Sequence, residues 1–340
     1  MKISVLGSGG WGTALALLLA ENGHQVTLWS AFPEEADNLR NTLKNPYLPG
    51  IPLPETIHYT ADMAGVKEAD MAVLATPSFA FRPTAQALGK LIPPGAPVVI
   101  ASKGIEQESL KNFSDVAKEV LGPKTPLAAL SGPSHAEEVA RGLPTACVAA
   151  SEDMAVAELV QDAFMSERFR VYTTTDVVGV ELGAALKNVI ALCAGVSDGM
   201  GYGDNTIAML VTRGLSEIST LAVALGGRRE TLAGLAGLGD LIVTCTSRHS
   251  RNRRAGVFIG QGMDVQAAME KVGAVVEGYY AARAAHALAQ KTGVEMPISQ
   301  ELYRVLYEGK SPKRVLQDLM TRSKKVECGN TAAEMWVRQP

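Results

Sequence analysis

The chain has few cysteines and aromatic residues and no excess of charge of one sign. Its cysteines, Cys147, Cys193, Cys245 and Cys328, are far apart and form no Cys-x-x-Cys pair, so neither a disulfide framework nor a zinc knuckle is expected. We interpret them as small hydrophobic side chains or incidental thiols. Lys and Arg number 32 against 35 Asp and Glu, and this balance gives no general attraction for nucleic acid.

Other absences narrow the class of protein further. No stretch reaches transmembrane length without charged or polar interruptions, and the chain begins with a strand pattern instead of a basic, apolar leader. A cytoplasmic location without membrane insertion is therefore expected. The sequence has no His-Glu-x-x-His or other metal-ligand spacing and no Gly-x-Ser-x-Gly elbow, so neither a metal site nor a serine hydrolase is predicted.

What the chain does have is a glycine-rich loop close to its first residue. Residues 2–6 form a short apolar strand pattern, the loop Gly-Ser-Gly-Gly-Trp-Gly occupies residues 7–12, and an Ala/Leu-rich helix pattern follows. In this strand-loop-helix setting Gly7 permits the tight turn, Gly9 leaves room for a pyrophosphate, and Gly12 lets the helix pack closely. Free amides at the helix N-terminus can hold the phosphates. The alternative is a flexible turn without a ligand.

The rest of the first half repeats this alternation of strands and helices. The first helix is predicted from about Thr13 to Asn22, and residues 25–29 return as a second strand. Further strands are predicted at residues 71–75, 97–101, 127–130, 145–150 and 169–172. The sequence therefore predicts an α/β fold with a Rossmann-type, doubly wound, mainly parallel sheet in residues 1–180.

After about residue 180 the pattern becomes helical. Helices are predicted at residues 181–196, 206–225, 281–291, 299–307 and 312–320, with no convincing strand among them. We therefore predict a second, all-helical domain over residues 181–340 that binds substrate and carries the catalytic residues.

Lys187 is the most unusual residue of this second half, because it is a single lysine in an otherwise apolar helix. Helical geometry puts Ala184 and Ala191 on the same side, so small residues would leave space for a ligand beside the ammonium group. Desolvation would lower its pKa toward the range useful for proton transfer. The alternative is a lysine that extends its ammonium group to solvent at the helix edge.

A second candidate cluster begins at Asp240, on a predicted glycine-rich turn, and continues through hydroxyl and arginine side chains to Arg254. The aspartate could orient a catalytic lysine while the arginines hold an anion, since the guanidinium fork suits phosphate. The cluster is short and contains no aromatic residue, so one small phosphate is a better partner than nucleic acid.

Two further segments follow predicted strands at the edge where a doubly wound sheet binds ligands. Lys103 lies just after the strand at residues 97–101, where it can meet substrate or cofactor. Residues 131–136 follow the next strand, and a plain turn is an equal alternative there. His135 has no identifiable carboxylate partner, and we treat it as structural or peripheral.

Taken in order, these segments resemble bacterial NAD(P)-dependent glycerol-3-phosphate dehydrogenases over nearly the whole chain. The shared motifs are Gly-Ser-Gly-Gly-Trp-Gly-Thr-Ala, Asn-Pro-Tyr-Leu-Pro-Gly from Asn45, Ser-Lys-Gly-Ile-Glu, Ser-Gly-Pro-Ser, Ala-Leu-Lys-Asn, Gly-Leu-Gly-Asp-Leu, Ser-Arg-Asn and Val-Glu-Gly-Tyr. The resemblance implies reversible hydride transfer between NAD(P)H and dihydroxyacetone phosphate to give sn-glycerol 3-phosphate, the backbone of glycerophospholipids. It leaves a homodimer open.

The resemblance also implies roles for individual residues. Lys187 would donate or accept the proton, with Asp240 as its catalytic partner. The residues that would line the substrate are Lys103, Gly132, Ser134, Lys187, Asp240, Ser250, Arg251 and Asn252. Besides Gly7, Gly9 and Gly12, those that would contact the dinucleotide are Gly10, Trp11, Lys103, Ala136, Arg251, Val275 and Glu277.

One departure from the family concerns the choice of cofactor. Where many relatives carry histidine or arginine after the second strand, this chain has Ala31. No acidic residue stands there to bind the ribose of NAD, and a cationic partner for the 2′-phosphate of NADP is not obvious unless Arg40 supplies it. NADP or NAD is therefore expected, and the tendency of the family favours NADP.

Two other functions stay open on the sequence alone. A dehydrogenase acting on a 3-hydroxy acid would keep the loop and the lysine but would not need the arginine cluster. A non-catalytic redox sensor would bind NAD(H) and signal through the helical region.

Overall fold

A computed structural model describes residues 1–324 and residue 327 of the chain. Its first half is built on one eight-stranded sheet with the strand order β3-β2-β1-β4-β5-β6-β7-β8. All neighbouring strands are parallel except β6 and β7. The strands are β1 (Lys2–Leu6), β2 (Gln25–Trp29), β3 (His58–Thr60), β4 (Met71–Leu74), β5 (Val98–Ile100), β6 (Leu127–Ser131), β7 (Thr145–Ala150) and β8 (Phe169–Thr174).

Helices cover both faces of this sheet. Alternate residues along the central strands enter two different hydrophobic clusters: Met71 and Val73 lie in one, Ala72 and Leu74 in the other. The doubly wound Rossmann-type sheet predicted from the sequence is thereby confirmed. The helices of this part are α1 (Gly10–Glu21), α2 (Pro33–Thr42), α3 (Phe81–Gly89), α4 (Phe113–Leu121), α5 (Ala136–Ala140) and α6 (Met154–Phe164), with short 3-10 helices at Met63–Glu68 and Ser78–Ala80.

The second half is helical and has its own hydrophobic cluster around the long helix α7. Its helices are α7 (Val177–Gly199), α8 (Asp204–Ala224), α9 (Arg229–Ala233), α10 (Asp240–Thr246), α11 (Arg251–Gly260), α12 (Val265–Val272), α13 (Glu277–Thr292), α14 (Pro297–Glu308) and α15 (Pro312–Met320). The predicted helices at residues 181–196 and 206–225 correspond to α7 and α8. The division into two domains near residue 180 stays a prediction, and that position lies in the first turn of α7.

Helices α7 and α11 pack backbone against backbone. A side chain on Gly195 would lie 2.0 Å from the carbonyl oxygen of Arg253, and one on Gly199 would lie 2.2 Å from that of Val257. The same holds in the other direction, because a side chain on Gly256 would lie 2.2 Å from the carbonyl oxygen of Leu192. Only glycine permits this approach, so the two helices have one fixed relation.

Among the described residues, two helices are long and apolar enough to cross a membrane by length and composition. The apolar stretch of α7 has a mean hydropathy of 1.7 and is 83% buried within the protein, whereas that of α8 has 1.4 and is 39% buried. Core helices of globular proteins meet the same criterion.

The thiols of Cys147 and Cys245 are buried and free, and Cys328 lies outside the described residues.

Candidate active site

The carboxyl ends of β5 and β6 bring the first site residues together. Lys103 follows β5, and its Nζ donates to the carbonyl oxygen of Gly132 at 3.2 Å and to Oγ of Ser134 at 3.3 Å. Both partners follow β6, and the Ser134 hydroxyl itself donates to the Gly132 carbonyl at 2.9 Å. Parallel neighbouring strands end at the same edge of the sheet, which is why residues about thirty positions apart meet there.

Asp240 joins this edge of the sheet to the helical half. Its Oδ2 accepts from Nζ of Lys103 at 2.8 Å, and its Oδ1 accepts from Nζ of Lys187 at 2.7 Å. The Asp240 side chain is 2% exposed and that of Lys187 is 7% exposed. One buried carboxylate therefore lies between two ammonium groups, and we call these three residues the lysine–aspartate cluster.

Burial and charge shift the pKa values of this cluster in definite directions. Burial lowers the pKa of Lys187 to about 8, although the negative charge of Asp240 acts in the opposite direction. Burial would raise the pKa of Asp240, but the charges and hydrogen bonds of Lys103 and Lys187 outweigh it and lower the pKa. The aspartate thus stays ionised while the lysine can exchange a proton near neutral pH.

Helix α7 explains how Lys187 reaches this position. The helix is apolar around it, with Leu186 and Val189 almost fully buried, so the packing of these neighbours fixes the position of the helix. The ammonium group of Lys187 donates hydrogen bonds to the carboxylate of Asp240 and to the hydroxyl of Thr244, each at 2.7 Å. The alternative in which Lys187 extends to solvent is wrong.

The expected glycine-rich turn before Asp240 is also wrong. Leu235–Gly239 forms one π-helical turn that leads directly into α10, whose first residue is Asp240. A side chain on Gly237 would lie 2.0 Å from the carbonyl oxygen of Leu232, so this glycine serves close packing within helices. Thr244 lies four residues after Asp240 on the same helical face. That spacing was the signal that could have paired them.

A second group of predicted site residues lies at the start of α11. The Ser250 hydroxyl accepts from the backbone N–H of Arg253 and caps the helix, and the Arg251 side chain is exposed at its first turn. Asn252 is buried, donates to Oδ1 of Asn188 at 2.9 Å and accepts from the N–H of Gly278 at 2.8 Å. The Asn252 amide thus ties α7, α11 and α13 together, and its second N–H has no acceptor among the described residues.

The glycine loop, residues 7–12, has the shape that a dinucleotide requires. Gly7 has φ of 123°, and a side chain on Gly12 would lie 1.9 Å from the Gly7 carbonyl oxygen. A side chain on Gly9 would meet nothing within 4 Å, so the space beside it is open. Helix α1 begins at Gly10, earlier than the predicted Thr13, and no side chain caps its N-terminus. The residues therefore fit a pyrophosphate held by backbone amides.

Neighbouring segments hold this loop in place. Asn45 donates to the carbonyl oxygen of Ser8 at 2.9 Å and to the Thr13 hydroxyl at 2.7 Å, so the Asn-Pro-Tyr-Leu-Pro-Gly segment acts on the loop directly. The Trp11 indole donates to the carbonyl oxygen of Ala101 at 3.1 Å. This bond links the loop to the end of β5, next to Lys103.

The remaining predicted residues are distributed around these two centres. A side chain on Gly10 would lie 3.5 Å from Cβ of Ala136, so those two residues adjoin. Glu277, at the start of α13, accepts from the N–H of Ser78 at 3.2 Å and connects the helical half to the sheet. Val275 precedes α13, with no polar contact described. His135 is half-buried, and burial together with the charge of Lys187 lowers its pKa.

Together the fold and the site define a class of protein. A doubly wound sheet carries an uncapped helix N-terminus behind an open glycine loop, and a buried lysine with a tuned pKa lies at the carboxyl ends of its strands. These are the parts of a dinucleotide-dependent oxidoreductase with a helical second half.

The chain belongs to the NAD-dependent glycerol-3-phosphate dehydrogenase family. The model of the N-terminal part of that family matches residues 2–157, and the model of its C-terminal part matches residues 176–317. It is therefore an NAD(P)-dependent oxidoreductase. The resemblance stated from the sequence motifs is confirmed.

Individual relatives agree over nearly the full chain. A protein of Moorella thermoacetica named glycerol-3-phosphate dehydrogenase (NAD(P)+) is 52% identical over 97% of this chain and 99% of its own length. One of Agathobacter rectalis with the same name is 50% identical over 96% and 97%. The crystal structure of glycerol-3-phosphate dehydrogenase from Coxiella burnetii superposes with a TM-score of 0.91 at 40% identity, covering 94% of this chain and 99% of that one.

Proposed function

We propose that this protein reversibly reduces dihydroxyacetone phosphate to sn-glycerol 3-phosphate with NAD(P)H and so supplies the glycerophospholipid backbone. The observation that carries the proposal is the buried lysine–aspartate cluster at the carboxyl ends of β5 and β6. It offers one proton of suitable pKa at the same edge of the sheet as the glycine loop. Family membership and the open glycine loop support the same reaction.

Lys187 manages the proton of this reaction. As an ammonium group it donates a hydrogen bond to the substrate carbonyl oxygen and then gives it the proton; as an amine it takes the proton back in the reverse direction. The bound nicotinamide ring supplies or accepts the hydride. Asp240 holds the lysine Nζ in place from 2.7 Å and favours its charged form. Lys103 occupies the other carboxylate oxygen and presents Ser134 and Gly132 to the substrate.

The start of α11 binds the phosphate of the substrate. Arg251 offers a guanidinium fork, and the Ser250 hydroxyl and the free N–H of Asn252 lie beside it. Binding energy from this remote phosphate positions the reacting carbon against Lys187. Because the Asn188–Asn252 hydrogen bond joins α7 to α11, the phosphate end and the proton end of the site are mechanically connected.

Replacing the proton donor tests the proposal. Lys187→Met keeps the length and apolar stem of the side chain but removes the transferable proton, so turnover with dihydroxyacetone phosphate should fall at least about 100-fold. Cofactor binding, followed by nicotinamide fluorescence, should persist. Lys291→Met, an exposed lysine at the end of α13, is the matched control and should keep normal turnover. Near-normal turnover of the Lys187 variant would contradict the assignment of Lys187 as the proton donor.

We also propose a cytoplasmic enzyme without membrane insertion that forms a homodimer. In support, α7 carries Lys187 and Asn188 in contact with neighbouring helices, so it serves the core of the protein. Cell fractionation tests the location, and sedimentation velocity of the purified chain tests the dimer. Enzyme found in the membrane fraction, or a single monomeric species, would contradict the respective proposal.

A further inference from the structure

A carboxylate that the motifs did not indicate lies against the glycine loop. Glu35, in the first turn of α2, accepts a hydrogen bond from the Ser8 hydroxyl at 2.9 Å and another from the Ser30 hydroxyl at 2.8 Å. Ser8 belongs to the loop itself, and Ser30 is the first residue after β2. Glu35 therefore occupies the place beside the loop where Ala31 left the carboxylate of an NAD site missing.

The two hydrogen bonds use only one of the two carboxylate oxygens. Both serine hydroxyls donate to Oε2 of Glu35, and Oε1 accepts no hydrogen bond from any described residue. The residue is only partly exposed. Its rotamer is thus fixed by two short hydrogen bonds while one oxygen stays free to accept from a ligand hydroxyl.

Glu35 faces a pocket that contains no cation. The pocket has a volume of about 230 Å³ and begins at the glycine loop. It is lined by Ser8, Glu34, Glu35, Asn38, Leu39, Asn45, Pro46 and Tyr47. A 2′-phosphate needs arginine or lysine beside it, and none of these lining residues is basic.

The cation considered from the sequence is already engaged elsewhere. Arg40 is bonded through its guanidinium to the carboxylate of Asp37 at 2.9 Å and to the carbonyl oxygen of Tyr59 at 3.0 Å. It also lies five residues after Glu35, which is about 8 Å further along the helix axis. Arg40 therefore does not balance the charge of Glu35 in the pocket.

We propose that Glu35 determines the choice of dinucleotide, accepting the 2′-hydroxyl of the adenosine ribose and repelling a 2′-phosphate. The protein then prefers NADH to NADPH, opposite to the preference that the family resemblance implied. This inference rests on the proposed dinucleotide site but not on the identity of the reduced substrate.

Equilibrium binding tests it without any turnover. Titration of the purified protein with NADH and with NADPH, followed by nicotinamide fluorescence or calorimetry, should give a Kd for NADPH at least about tenfold higher, the size of one like-charge contact. Glu35→Gln keeps an oxygen for Ser8 and Ser30 but removes the charge. It should tighten NADPH binding and lower the ratio of the Kd for NADPH to the Kd for NADH at least about fivefold.

Glu21→Gln is the matched control, because it removes the same charge from an exposed position at the far end of α1, and Glu21 does not line the pocket. Its ratio should move less than that of Glu35→Gln. Circular dichroism and thermal unfolding of both variants show whether they fold like the original chain. If Glu35→Gln unfolds, Ser8→Ala, which releases one hydrogen bond from Oε2, should narrow the ratio in the same direction.

The outcomes separate this inference from the function it rests on. Equal Kd values for both cofactors, or a ratio of Kd values unchanged by Glu35→Gln, would overturn the role of Glu35. Neither result would contradict the proposed dehydrogenase function. If Glu21→Gln shifts the ratio of the two Kd values as much as Glu35→Gln does, the role of Glu35 is also overturned, since a general charge effect would then suffice. Binding of neither dinucleotide overturns the cofactor site altogether.

Discussion

The glycine loop and the lysine–aspartate cluster lie at the same edge of the sheet and are built from opposite materials. The loop works through its backbone: Gly7, Gly9 and Gly12 provide a turn, an opening and a close contact within six consecutive residues. The cluster works through charged side chains, two of them buried, that come from the segment after β5, from α7 and from α10. The proposed pyrophosphate site at the loop thus requires positions without side chains. The proposed proton-transfer site requires three side chains that the fold must bring together.

This difference has an energetic consequence. Main-chain amides at a helix N-terminus are already ordered, so they bind an anion at no cost in burying charge. In the cluster two ammonium groups share one carboxylate, and Asp240 and Lys187 have lost most of their hydration. We therefore expect the free energy of unfolding to depend far more on Asp240 than on any exposed ion pair. Variants of the cluster and of the loop should differ in how much stability they lose.

The largest effect is expected on removing the shared carboxylate. Asp240→Ala leaves two adjacent ammonium groups without a counterion, and the free energy of unfolding should fall by about 3–5 kcal/mol, as for other broken buried pairs. Urea unfolding measures it. Asp198→Ala breaks the more exposed pair with Arg253, of 2.7 Å, and should cost less than about 1 kcal/mol. Equal losses in the two variants would contradict the role given to burial.

A smaller effect is expected in the loop, where two glycines should behave differently. Gly12→Ala places a methyl group 1.9 Å from the Gly7 carbonyl oxygen, so it should lower stability by about 1–3 kcal/mol and abolish dinucleotide binding. Gly9→Ala meets no neighbour, and its φ of -64° suits alanine. It should change the free energy of unfolding by less than about 1 kcal/mol and still weaken NADH binding.

Thermal unfolding and NADH titration of both alanine variants separate the two requirements. Loss of stability in Gly9→Ala would contradict the open space beside Gly9. Unchanged NADH binding in both variants would show that the loop does not hold the pyrophosphate.

The smallest effect is a change of rate with pH. Because burial lowers the pKa of Lys187 to about 8, ketone reduction should slow as the pH rises through that value, since the ammonium form is lost. Alcohol oxidation should speed up over the same range and level off above it. Each limb should approach about tenfold per pH unit. A break in either direction only near the ordinary lysine value of 10.5 would contradict the desolvated lysine.

Asp240→Asn sharpens this measurement. Without the carboxylate the ammonium form loses its partner, so the break in the pH profile should move to lower pH. Cofactor binding measured over the same range serves as the control and should show no matching break.

The sequence predicted best what depends on neighbouring residues. The run from β1 through the loop to β2 carries its own signals, namely apolar strands, glycines and a turn, and the structure reproduces both strands there. Lys187 was also recognisable, because one charge in an apolar helix stands out. The start of α1 was misplaced by three residues, since Gly10 and Gly12 read as loop but pack as helix.

Long-range contacts set the limit of such prediction. Lys103 and Asp240 are separated by 137 positions, and no local pattern says that they meet. The π-helical turn before Asp240 resembles a glycine-rich turn in sequence, although its Gly237 serves packing against Leu232. Glu35 was missed for a similar reason: it lies outside the usual position after β2, and only its hydrogen bonds to Ser8 and Ser30 bring it back to the loop.

The glycine-to-backbone packing of α7 and α11 has a meaning for the length of the substrate. Lys187 is carried by α7 and Arg251 by α11, and the contacts at Gly195 and Gly256 allow neither helix to slide against the other. Main-chain packing therefore fixes the backbone positions of the proton donor and of the proposed phosphate anchor, and only their side chains can adjust to a substrate. A ketone phosphate longer by one carbon should therefore turn over more slowly than dihydroxyacetone phosphate.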